Sequence, residues 1–158
     1  MSTPSRIVVK LFAVGGWAPV LVFAVHLFTT QVVNVYGTWP EFDIPMHVAG
    51  GLAIAYFVSG CFRTMPRSGP RNGRIVLLEV GLIMTVTTTA AVIWEFMEFA
   101  LDQTLGTTIQ VSLVNTMQDL ALGMAGAAMF AILRMPQLAA RPRDVRAVVM
   151  EWLQGRAA

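Results

Sequence analysis

Positive charge is nearly absent from most of this chain. Its 158 residues include one lysine, and no lysine or arginine lies between Lys10 and Arg63 or between Arg74 and Arg134. Charged residues of both signs make up 13% of the sequence, about half the share usual in soluble domains. Cys61 is the single cysteine, which excludes an intrachain disulfide framework and a cysteine metal knuckle. No internal repeat and no low-complexity segment is present, so nothing points to a repeat architecture.

Apolar residues fill the space. They account for 56% of the chain, and the mean hydropathy is +0.65, too high for a soluble domain of this length. A bilayer core needs about 20 helical residues to cross, and four runs reach that length: 11–36, 44–62, 75–101 and 113–133. The expected fold is all-α, a four-helix transmembrane bundle over 1–136 followed by a cytoplasmic tail over 137–158. Arg6 and Lys10 ahead of the first run resemble the basic start of a signal peptide, but the run outlasts the usual 7 to 15 residues and is read as a retained span. Gly15, Gly16 and Pro19 are where it should kink.

Arginine placement then orients the chain. Arg6 and Lys10 precede the first span, Arg63, Arg67, Arg71 and Arg74 lie between the second and third, and Arg134, Arg141, Arg143, Arg146 and Arg156 follow the fourth. Both remaining loops, 37–43 and 103–112, lack basic residues. By the positive-inside rule both termini are expected in the cytoplasm, in the plasma (inner) membrane. The basic pI, near 9.2, therefore reflects topology, and no nucleic-acid partner is implied. In the tail, Val145, Val148, Val149, Trp152 and Leu153 follow i, i+3, i+4, i+7, i+8 spacing beside arginines, the pattern of an amphipathic helix lying on an anionic leaflet.

The third span ends in Trp94-Glu95-Phe96-Met97-Glu98-Phe99-Ala100-Leu101-Asp102. On a helix Glu95, Glu98 and Asp102 fall within roughly 60° of one another. Carboxylates near lipid cost about 2.5 to 3.5 kcal/mol each at a helix centre and less toward the interface, so three on one face need partners from other helices. Helical rise places His26 about 24 Å above Lys10, Asp119 about 22 Å above Arg134 and Glu95 about 31 Å above Arg74. Asp43 shares a helical face with His47, and Asn115 with Asp119, Gly123 and Gly126. All of these side chains are expected at one outer level. Glu79 stands apart, near the cytoplasmic end, and is expected to be an interfacial partner of Arg74. Gly51, Ala55 and Ser59 offer small-residue spacing for close helix contact.

Imidazole and carboxylate at one level of a four-helix bundle form a ligand set for a divalent metal such as zinc, manganese or iron. The expected ligands are His47, Glu95, Glu98 and Asp119, with Asp43, Asn115 and His26 orienting them. If the site is catalytic, Glu95 and Asp119 would share the acid and base roles. The same cluster also fits a hydrogen-bonded polar plug that sets helix register, with Asp43 a helix N-cap, Asp102 a solvated helix end and His26 a core histidine.

Three segments, Asp43-x3-His47-x2-Gly50-Gly51, Trp94-Glu95-x2-Glu98 and Asn115-x3-Asp119-x3-Gly123-x2-Gly126, resemble the YjdF-like family of small multi-pass membrane proteins. More distantly they resemble the VanZ-like family, which shares an acid and a histidine opening one span and an acid early in the last. The latter resemblance implies an envelope role; neither implies an established reaction. Where these families often carry Asp at the start of the last motif, this chain has Asn115.

Three functions are consistent with the residues. One is a membrane-embedded site, metal-bound or acting on a lipid-linked or envelope substrate. Another is a small membrane subunit or assembly factor, packing on a protein partner or a second copy, with membrane lipids around it. The third is a proton-coupled transporter, disfavoured by the lack of a repeat and of a span interrupted at the midplane.

Overall fold

The computed structural model describes residues 4–64 and 73–139. The centre of the arginine loop and the amphipathic stretch of the tail lie outside the described residues. Within them every regular element is helical: α1 (Pro4–Leu11), α2 (Trp17–Gln31), α3 (Val35–Thr38), α4 (Asp43–Thr64), α5 (Gly73–Leu105) and α6 (Leu113–Ala139). Four helical stretches are long and apolar enough to cross a membrane: Ile7–Gln31, Pro40–Thr64, Gly73–Leu105 and Leu113–Pro136.

The first of these is broken where the glycines stand. A π-type turn over Phe12–Gly16 joins α1 to α2, and Gly15 takes φ 124° inside it, a conformation open to glycine and strained for other residues. The break serves packing. A Cβ on Gly15 would meet the Tyr56 ring, and one on Gly60 would overlap the Val14 carbonyl, so the kinked backbone lies directly on α4. The helix then stops at Gln31, short of the expected residue 36. The amides of Val32 and Val33 both donate to the Phe28 carbonyl, and Asn34 enters the left-handed region at φ 50°, which asparagine tolerates better than most residues.

α4, α5 and α6 pack against one another, and α2 packs on α4. Glycine controls the α4–α6 contact: a Cβ on Gly51 would overlap the Gly123 carbonyl, and one on Gly126 the Val48 carbonyl. Ala55, Ile83 and Ala127 form the buried centre, flanked by Val58, Met84 and Phe130. Most large apolar side chains face outward instead, Leu77, Ile93, Phe96, Ile132 and Leu133 among them. A surface this apolar is suited to hydrocarbon rather than water.

Glu79, expected near the cytoplasmic end, is fully buried between helices, and Ser59 Oγ donates to its Oε1 at 2.7 Å. Glu79 and Glu95 lie about 160° apart around an ideal helix, yet the buried stripe Glu79, Ile83, Thr87, Glu95, Glu98 winds around α5 and takes in both. Steps of four residues drift about 40° each on a helix, so a long helix crossing its neighbours buries different faces at its two ends.

Candidate functional site

The two short connections, 32–42 and 106–112, lie at the same end of the bundle, and the polar residues gather there. Asp43 opens α4 and His47 follows one turn on, so their side chains meet: His47 Nε2 lies 3.3 Å from Asp43 Oδ1. Asp119 reaches them from α6. Gly51 and Gly123 bring the two backbones into contact one turn deeper, and this places Asp119 Oδ1 3.8 Å from His47 Nε2. Asp43, His47 and Asp119 each present one ligand atom, all within 4.8 Å of one another. Tetrahedral ligands about 2.1 Å from a zinc ion stand about 3.4 Å apart, so small side-chain rotations would let all three bind one ion. Asp119 is 3% exposed, and its Oδ1 has no hydrogen-bond partner. Buried oxygens without a donor are rare and call for an explanation.

The remaining expected site residues surround this triad. Asn115 approaches the Asp43 carboxyl, as does Asp119, and the Asn115 backbone amide is capped by Ser112 Oγ at 3.1 Å. Glu95 lies within electrostatic range of His47 and Asp43, and Glu98 within range of Glu95 and His47. Both are buried but engaged elsewhere: Glu98 Oε1 accepts from Trp94 Nε1 at 2.7 Å, and Gln110 Nε2 donates to the Glu95 carbonyl at 3.0 Å and weakly to its Oε2 at 3.4 Å. His26 Nδ1 pairs with Tyr36 Oη at 3.0 Å, and its ring stands edge-on to Trp94 at 5.1 Å. Burial, and after it the charge of Asp43, pushes the Tyr36 phenol up to about 12. It therefore stays protonated through the neutral range and can donate to His26.

Asp102 is more than a solvated helix end. It accepts from Thr107 Oγ1 at 2.6 Å and from the amides of Ile109 and Gln110 at 2.8 and 2.9 Å. These bonds fold the 106–112 connection back over α5 and so aim Gln110 at Glu95. Gln110, Tyr36 and Trp94 were not among the expected site residues. Only the Trp94-Glu95-x2-Glu98 segment hinted at one of them, since i, i+4 spacing puts Trp94 beside Glu98.

Beneath the triad lies a cavity of about 230 Å³. Its walls come from α2 (Pro19, Val22, Phe23, His26), α4 (Asp43 to Ile54) and α5 (Thr87, Ala90, Ala91, Trp94), with Gly123 of α6 behind. Phe23 and His26 close over it onto Trp94, at ring distances of 6.0 and 5.1 Å. Asp43 and His47 thus face both Asp119 and the cavity.

No curated protein and no solved structure matches this sequence. The DUF2238 family, described as a predicted membrane protein, matches residues 10–139. That range takes in three of the four long apolar helices whole, the first from residue 10 onward, and every residue of the triad, and the chain belongs to the DUF2238 family of predicted membrane proteins.

Proposed function

We propose that this protein binds a divalent cation within the membrane, through Asp43, His47 and Asp119. The observation that carries the reading is the buried Asp119 Oδ1, without a hydrogen-bond donor and 3.8 Å from His47 Nε2. A cation would satisfy this oxygen and offset the charge of two adjacent carboxylates, and three protein ligands would leave it a position open for substrate. Nitrogen and oxygen donors suit zinc, manganese or iron. Asp43 moves in this reading from an orienting role to a ligand, while Glu95 and Glu98 flank the site. Glu95, held by Gln110, is the group to which we assign acid or base chemistry if the site is catalytic. The YjdF-like resemblance is compatible with the family match, whereas the VanZ-like one rests on the motifs alone.

The proposed setting is the plasma membrane with the triad at the outer level and both termini inside, supported by Arg63, Arg74 and Arg134 at the far ends of their helices. A cytoplasm-specific reporter fused after Gly106 should then be silent, and activity there would invert the arrangement. Elemental analysis of the purified protein tests the site itself. Stoichiometric metal in the parent, lost in Asp119→Asn and His47→Ala, is the expected result. A metal-free parent would leave the alternative of a structural plug, which the direct His47–Asp43 contact at 3.3 Å favours.

A further inference from the structure

We propose that the cavity below the triad holds the hydrocarbon chain of one membrane amphiphile with an uncharged, oxygen-bearing head, admitted sideways between α2 and α5. The chain site follows from the cavity; the choice of head rests on the cation reading above.

Four observations support the chain. The lining is apolar apart from His26, Asp43, His47 and Thr87. At about 230 Å³ it lies below the 300 to 1,000 Å³ of drug-sized pockets, which suits one chain rather than two. α2 packs chiefly on α4 and reaches α5 through the Phe23 and His26 contacts to Trp94, so the wall between α2 and α5 is made of side chains. Such a wall opens by rotamer changes. In a bilayer that wall faces hydrocarbon, and a chain entering an apolar void gains dispersion contacts without leaving water. Finally, Thr87 is 1% exposed, lines the cavity, and its Oγ1 has no hydrogen-bond partner. In a helix a threonine hydroxyl usually bonds back to the preceding turn, as Thr89 does to Thr85. A free hydroxyl at this depth fits an oxygen on the occupant, such as an acyl carbonyl.

The head is set by charge. On that reading Asp43 and Asp119 would offset a divalent cation held between them, and Glu95 and Glu98 lie close by. An anionic head would meet these carboxylates, whereas a hydroxyl or ester oxygen can take the open position on the cation.

The test uses Trp94 as reporter. Trp17, Trp39 and Trp152 are replaced by Phe in the full chain, which is placed in nanodiscs of unbrominated lipid and titrated with a monoacylglycerol brominated along its chain. Quenching should saturate at one probe per protein. Gly50→Leu fills the cavity from a position where a Cβ meets nothing within 4 Å, and it should abolish the saturable quenching while metal content and thermal unfolding are unchanged. Thr87→Val should weaken binding about fivefold, the scale of one neutral hydrogen bond. Quenching that rises linearly with probe, is unaffected by Gly50→Leu and equals that of a Trp39-only variant would overturn the chain site, even if metal is bound. Saturable binding of a brominated alkylamine in preference to the monoacylglycerol, by a metal-free parent, would overturn the head assignment and the cation reading while upholding the chain site.

Discussion

Glu79 and Asp119 are both buried carboxylates of the same bundle, at 0% and 3% exposure, yet their surroundings differ. Glu79, toward the arginine-bearing end, has Ser59 as a hydrogen-bond donor at 2.7 Å, and the cavity does not reach it. Asp119, at the other end, shares its level with Asp43 and His47, keeps one oxygen without a donor, and adjoins residues that line a cavity. A polar group that is paired and sealed holds helices together. One left short of a donor beside open space calls for an explanation, and the proposed cation would do for it what the Ser59 hydroxyl does for Glu79. On the proposed cation reading, the difference separates a structural acid from a binding acid, although both look alike as single letters in a helix.

The comparison can be broken most severely at the contact that supports both ends. Gly51→Ala places a methyl against the Gly123 backbone; we expect a loss of about 2–3 kcal/mol in detergent unfolding, the range for overpacking, together with loss of metal. A variant as stable as the parent would mean that α4 and α6 do not rely on this approach. Ser59→Ala should cost about 1–3 kcal/mol, because it removes a donor from a buried carboxylate, and should leave metal content intact. If metal content fell with it, the two acids would not be independent. Gln110→Ala removes a donor from Glu95 and should cost about 1 kcal/mol, with faster hydrogen exchange at Ile109 and Gln110 as the accompanying sign that the loop has loosened.

Asp119→Asn should move stability least and in the opposite sense. Replacing a donor-poor carboxylate beside Asp43 with an amide relieves like-charge repulsion, so stability without metal should be unchanged or rise by up to about 1 kcal/mol, while metal affinity falls. A clear destabilisation would place Asp119 with Glu79 as a structural acid.

Hydropathy and charge are properties of local sequence, and what depends on them could be read from the chain directly. Four apolar helices, the break at Gly15 and Gly16, and the grouping of His26, His47, Glu95, Glu98 and Asp119 at one level follow from run length, glycine and helical rise. The arginine distribution carries the expected orientation in the same way. Which of the grouped side chains touch depends instead on how far each helix is rotated and how near its neighbour stands. Those quantities are set by the Gly51–Gly123 and Gly126–Val48 contacts, between residues far apart in sequence. For this reason Asp119 met His47 across the α4–α6 contact. Packing of α4 on α5 likewise joined Ser59 to Glu79, and the loop held by Asp102 brought Gln110 to Glu95, whereas the Asp43–His47 and Trp94–Glu98 pairs are one turn apart on a single helix. The cavity likewise exists because α2 leans on α4 and reaches α5 through the Phe23 and His26 rings on Trp94, a spacing that no helix's own sequence encodes.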